Sequence, residues 1–367
     1  MLQKALSRFL ASALFLYAGA ALPFTLILPP DEQTSPSNTI TEATTVERQA
    51  APIAGAIRAQ LLGLRRAKGS RGQAQAGRVL VASAQADSRG DFSLLAQGLK
   101  EPSAAGGGGD SASLWISAAA NSLENTFSRT AFYGATHNLL AGFDMTRSEK
   151  FVFGVAAGHE ASNFTTTFNA GNERTRGFNL APYFSYLLTP AWTLDASAGY
   201  GEFDTRQSRT VGLAPLVSVP VDSKFDSTRE FASVNLTNVS TWGGWTLTGA
   251  LGLLAAKRKH DAYTESDGTA VAASSQSVEQ GNLLAEAAYG RGASEFYLGA
   301  LYEKTRDPLQ VQFATGAQPA NDDDSTLLTA GWRHFGKGLT ANFVFSQRVG
   351  QDQVREYGFS MMLRVDL

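Results

Sequence analysis

The residues able to do chemistry are few and scattered. The chain has four histidines, His137, His159, His260 and His334. The strand pattern described below puts them on four different strands or strand ends. His159-Glu160 is followed by Asn163 rather than a second His, so the two-histidine helix face of a zinc protease is missing. His137 would need a serine across the fold to act in acyl transfer, and no nucleophile elbow or oxyanion glycine pattern accompanies it. The absence of Cys removes thiolate metal sites, cysteine nucleophiles and disulfides together. Asn321-Asp322-Asp323-Asp324 offers oxygen atoms to Ca²⁺ but lacks the spacing and glycine of a calcium loop. It reads as a solvated acidic turn. The sequence therefore supports no catalytic residue, no metal ligand and no cofactor, and the chain is not read as an enzyme.

The composition points elsewhere. The chain has 367 residues, with 36 Gly, 22 Phe, 10 Tyr and 5 Trp, but only 17% charged residues against about 25% in typical soluble chains. Lys and Arg number 31 and Asp and Glu 33, so no basic excess exists to serve nucleic acid. No internal stretch reaches the ~18 apolar residues of a spanning helix. Abundant aromatics and glycine, few charges and no apolar helix fit a membrane barrel that hides its apolarity in alternation.

From residue 113 onward the pattern has a period of two. Twelve amphipathic strands are expected at about 113–122, 131–145, 150–162, 175–188, 191–205, 227–239, 243–258, 276–290, 294–306, 325–335, 339–349 and 354–367. In the fourth, Phe178, Leu180, Pro182, Phe184, Tyr186 and Leu188 alternate with Gly177, Asn179, Ala181, Tyr183 and Ser185. In the last, Tyr357, Phe359, Met361, Leu363, Val365 and Leu367 alternate with Gly358, Ser360, Arg364 and Asp366. One face meets an apolar phase and the other does not. Tight connections (146–149, 189–190, 240–242, 291–293, 336–338) alternate with long polar ones (163–174, 206–226, 259–275, 307–324), as in barrels with short periplasmic turns and longer outer loops. Trp115, Trp192, Trp242 and Trp245 fall at short-turn strand ends, where an aromatic girdle belongs. Pro182 cannot donate to a ladder, so a bulge or local break is expected there.

The same alternation turns Asp195, Glu286, Glu303, Arg333, Arg348 and Arg364 away from lipid into a lumen. There they should pair with one another. The alternative is that the acidic ones receive a basic helix from the amino-terminal part.

That part has its own organisation. Lys4 and Arg8, the apolar run 9–21 and the small residues Ala18-Gly19-Ala20 make residues 1–20 a secretory signal peptide. Residues 21–112 read as a disordered and helical linker, or a very short passenger. Within them 29–47 is Pro/Ser/Thr/Glu-rich and expected to be disordered. Residues 48–68 are expected to be helical, with Ile53, Ile57, Leu61 and Leu64 on a stripe and Arg58, Arg65, Arg66 and Lys68 as a basic flank. Residues 92–99 could add a short helix, and Ala104 to Gly109 forms a flexible linker. A lone helix of this length is marginal in water and needs a host. Residues 48–68 are therefore the candidate pore helix, with 92–99 as the rival. The fold class is all-β, a twelve-stranded antiparallel transmembrane β-barrel over residues 113–367 with an amino-terminal helical and disordered extension.

Residues 113–367 resemble the autotransporter β-domain, the translocator of type V secretion. The resemblance is carried by LWISAAANSLENTFSRTAFYGATHNLLAGFDM, the turn TRSEK, FVFGVAAGHEASNF and GFNLAPYFSYLLTPAWTLDASAGYGEFD. Phe153-Gly154 with Gly158, and the run Asp195 to Tyr200, are the family-like spacings within it. The resemblance implies a helix threading the pore and location in the bacterial outer membrane. It also implies insertion through the carboxyl-terminal strand, which ends here in Leu367 where the family usually has Phe or Trp. Its implied partners are outer-membrane lipid, periplasmic chaperones and the barrel-assembly machinery, for a monomeric chain exporting or displaying its own amino-terminal segment. A barrel-only pore without a secretion role is the alternative.

Overall fold

The computed structural model describes residues 25–28, 37–70, 111–148, 150–214, 217–306, 310–313, 316–320 and 322–367. The signal peptide, the rival segment 92–99 and the 104–109 linker lie outside the described residues.

Twelve strands close into an antiparallel barrel. They are β2 (Ser111–Asn125), β3 (Phe132–Thr146), β4 (Phe151–Thr166), β5 (Gly171–Leu187), β6 (Trp192–Ala214), β7 (Val217–Trp242), β8 (Trp245–His260), β11 (Ser274–Arg291), β12 (Ser294–Arg306), β14 (Asp324–Phe335), β15 (Leu339–Val349) and β16 (Val354–Asp366). Each pairs with the next, and β16 returns to β2 from Val354↔Asn125 to Asp366↔Ser113. Closure leaves the barrel without an open sheet edge. Outside the barrel, β1 (Thr25–Leu28) pairs with β13 (Gln310–Phe313), and β9 (Tyr263–Thr264) pairs with β10 (Ala270–Val271). The single described helix, α1, spans Ser37–Ser70.

The alternation sets the two faces. Phe178, Leu298, Phe296 and Phe359 are more than half exposed on the outer wall, while Ala181, Tyr183, Ser185 and Met362 are buried within. The last strand keeps its expected register. Tyr357, Phe359 and Leu363 are exposed outward with Leu367 at the end, and Met361 and Val365 share their parity.

Three expectations need correction. Long loops at 163–174 and 206–226 do not form. β4 and β5 are joined through 167–170, and the β6–β7 ladder continues to Gly212↔Ser218 and Ala214↔Val217. The upper part of β6, from Thr205 to Thr210, is polar on both faces and shows no hydrophobic period; in β7, Val217, Val219, Val221 and Phe225 do alternate with polar residues, a signal hidden among charges that read as a solvated loop. Residues 37–47, expected to be disordered, are helical, because α1 begins at Ser37. Finally, Trp115 is buried in the lumen and does not join the girdle, whereas Trp192, Trp242 and Trp245 are exposed at the tight-turn end. The Trp115 ring lies over Gly142, where a Cβ would come within 2.2 Å of it. Its Nε1 donates to Tyr183 Oη at 2.8 Å.

At Pro182 the β5–β6 ladder is interrupted between Leu180↔Tyr200 and Tyr183↔Ser197, without a register shift. The β4 side remains continuous. Pro182 has no amide to donate to this ladder.

Candidate functional site: the occupied lumen

α1 runs through the barrel. Its neighbours are strands all around the ring, from β2 to β6 and on to β8, β11 and β16. At 1.5 Å per residue its 34 residues extend about 50 Å, enough to span the barrel from mouth to mouth. Its buried positions recur every fourth residue: Thr41, Thr45, Gln49, Ile53, Ile57 and Leu61. Such a ridge winds slowly around the helix, which suits a helix with wall on every side. The ridge is polar near the amino end and apolar farther on. Ala50, Ile53, Ile57, Leu61 and Leu64 pack with Trp115, Leu140, Tyr183, Phe231, Leu254 and Met362 of the wall. Tyr183 keeps the inward parity expected for its strand, whereas Trp115, Leu140, Phe231, Leu254 and Met362 were not foreseen, since they share their strand faces with polar residues.

The direction of α1 follows from its polar contacts. Thr41 donates to Glu173 near the start of β5, and Arg48 contacts Glu356 near the start of β16 and Gln351 in the preceding loop. Those positions lie at the end bearing the long connections. Arg66 reaches Glu286 and Glu295, which flank the tight β11–β12 turn. The amino end of α1 is therefore at the long-loop mouth, and its carboxyl end is at the mouth where β2 begins and β16 ends.

All six sequence-derived lumen charges face inward and are buried. Arg333 binds Glu286 through both terminal guanidinium nitrogens, at 2.9 and 2.7 Å, and Glu295 at 2.9 Å. Arg348 holds Glu356 at 2.7 Å, and also Glu303. Arg364 donates to Ser113 at 3.1 Å and pairs with Asp366 at 2.8 Å. Asp195 lies beside Arg58 along a narrow gap, and one of its carboxylate oxygens lacks a hydrogen bond. Of the helix arginines, Arg66 joins the Glu286/Glu295/Arg333 cluster, Arg65 donates to Ser185 at 2.6 Å, and Arg58 meets Asn282 at 3.5 Å. Wall pairing and helix capture thus occur together on Glu286, Glu295 and Glu356, while Glu303 pairs with the wall arginine Arg348.

Sequence reasoning missed several partners. Arg229 grips Glu160 at 3.0 and 2.6 Å and donates to Gln49 of α1 at 3.3 Å. Gln60 donates to Asp144 at 2.9 Å, alongside Ser113 and Tyr183. The strand parity that selects Asp195 also turns Glu160, Arg229 and Glu295 inward, so the signal was present in the same rule. A gap of about 10 Å³ beside Thr45, Arg48, Gln49 and Glu356 has room for about one water.

The histidines stay apart. His159 packs on Phe178, His260 on Phe225 and Tyr263, and His334 stacks on Trp332 with Ser294 at 3.0 Å. In the acidic turn, Asp322 accepts from the backbone of Asp352 and Gln353, and Asp324 from Tyr302. Among the described residues no group of three His, Cys, Asp or Glu is placed to hold a metal.

A twelve-stranded barrel with a helix through it invites comparison with known proteins. Residues 114–350 match the family described as Autotransporter beta-domain. The chain belongs to that family. Members are outer-membrane proteins of type V secretion. No curated protein matches the chain significantly. Among solved structures, it resembles the translocator domain of the autotransporter NalP from Neisseria meningitidis with TM-score 0.57 and 15% identity, over 70% of this chain and 88% of that one. The β domain of the Bordetella autotransporter BrkA gives 0.55 and 14%, over 70% and 100%. The transport unit of AIDA-I from Escherichia coli gives 0.52 and 12%, over 74% and 94%. At these identities the likeness is one of fold.

Proposed function

We propose that this autotransporter β-domain sits in the bacterial outer membrane and carries its own amino-terminal segment to the cell surface, with α1 as the pore helix. The observation that carries the reading is the polarity of α1. Its amino end emerges between the long connections, and its carboxyl end lies at the tight-turn mouth, where β2 begins. A chain that entered the periplasm through a signal peptide and was then drawn outward through the barrel would end in this arrangement. Tight turns face the periplasm and long connections face outward in such barrels.

The test is topological. The chain has no native Cys, so single cysteines are clean reporters. On intact cells Gln33→Cys should react with a membrane-impermeant maleimide, while Ser148→Cys in a tight turn should react only after the outer membrane is opened. A Gln33→Cys protected on intact cells and labelled after permeabilisation would overturn the reading.

A further inference from the structure

The connection between β12 and β14 carries a short strand, β13, that belongs to no barrel ladder. It is fastened from several sides. Phe313 is buried, with the Arg129 guanidinium 3.7 Å above its ring and Phe127 at 6.0 Å. Gln318 bonds both the backbone N–H and the carbonyl of Phe313 at 2.8 Å. Arg129 donates to the carbonyl of Ala317 at 3.2 Å, and Gln353 accepts from the amide of Ala320 at 2.9 Å. The loops after β2 and β15 therefore brace β13 at the long-loop mouth. A braced strand outside the barrel offers a row of backbone donors and acceptors, which is a template for another strand.

That template is occupied by this chain. β1 lies parallel to β13 in the register Thr25↔Gln310, Leu26↔Val311, Ile27↔Gln312 and Leu28↔Phe313. We infer that β13 is a docking strand for the exported amino-terminal segment, which adds Thr25–Leu28 to the barrel's own outer loop in cis. The displayed segment is then tethered at the cell surface. α1 is held at both ends, by β1 on β13 outside and by Arg66 in the Glu286/Glu295 cluster at the periplasmic mouth.

Two physical points favour docking in cis. A parallel pair four residues long is weak on its own. Residues 29–36 reach at most about 30 Å, so they confine β1 near the mouth from which α1 emerges and raise its local concentration to the order of millimolar. The second point is composition. Thr25-Leu26-Ile27-Leu28 is uncharged, apolar and rich in good strand formers, a segment prone to aggregate when left unpaired.

The inference rests on the outward amino terminus proposed above, and the experiment separates the two. The full chain carrying Leu26→Cys and Val311→Cys is treated on cells with a short bismaleimide. A crosslink within one chain, seen as a monomer of altered mobility, is expected. Leu26→Pro with Ile27→Pro, which removes whichever amide donates to β13, combined with Thr25→Cys and Gln310→Cys, should cut the yield about tenfold. A crosslinked dimer would show that the strand is donated by a second copy and overturn docking in cis. If Leu26→Cys is freely labelled on intact cells and no crosslink forms, the docking inference is wrong while the display reading stands. If Leu26→Cys is shielded by the outer membrane, both fail.

Discussion

Glu286 and Glu295 each accept from two arginines, Arg333 of the wall and Arg66 of the helix. Glu356 is likewise shared by Arg348 and Arg48. These three carboxylates thus keep a wall arginine when the helix is absent and are not left as bare charges during transport. Arg333 makes three hydrogen bonds to Glu286 and Glu295, and Arg66 makes two. Losing a hydrogen bond to a charge whose partner remains costs about 1.5–3 kcal/mol. Arg333→Ala should therefore lower the temperature at which the unboiled gel species converts to the boiled one by more than Arg66→Ala does. The reverse order would show that the helix, not the wall, neutralises this cluster. Gly142 gives a second residue-scale prediction. With Trp115 across it, Gly142→Val has no space and should destabilise the barrel by about 1–3 kcal/mol, read as a fall in refolding yield. Unchanged yield would show that the Trp115 ring moves freely.

At the scale of elements, the outer face sets the tolerance of the wall. Leu298 is 69% exposed near the middle of the apolar stretch of β12, while Lys304 stands beyond it near the end of the strand. Leu298→Arg should impair insertion by about 2–4 kcal/mol, and Lys304→Ala should not. Equal levels of both variants in outer-membrane fractions would refute the depth assigned to β12. The strands were legible in the sequence because lipid on one side and a lumen on the other impose a period of two from Ser113 to Asp366. The upper parts of β6 and β7 were not. Thr205 to Thr210 of β6 is polar on both faces, the alternating Val217, Val219, Val221 and Phe225 of β7 stand among charges that read as a loop, and the ladder is fixed by contacts such as Gln207 with Tyr263 and Arg209 with Glu265, distant in sequence. The first turns of α1 were hidden for a related reason. Thr41, Thr45 and Gln49 continue the buried ridge, but a polar ridge carries no hydrophobic signal, and only a polar lumen makes it a packing face. Trp115 was misplaced because its position at a strand end suggested a girdle, while its parity with Ser113 and Ser117 pointed inward.

For the whole molecule, the barrel and its helix form one object, with apolar burial in the middle and charge pairs at both mouths. The four ridge residues Ile53, Ile57, Leu61 and Leu64, together with Arg58, Arg65 and Arg66, lie in the lumen as parts of one helix. The role of α1 as the pore helix depends on that occupancy in the membrane. The direct measurement is a crosslink between Arg58→Cys on α1 and Asn282→Cys on β11, whose native side chains meet at 3.5 Å. In outer membranes from cells, a short thiol crosslinker should join them within one chain, and the product should keep the mobility shift between unboiled and boiled samples. Failure of the crosslink, with Arg58→Cys reacting with an impermeant thiol reagent as readily as Gln33→Cys, would contradict the account.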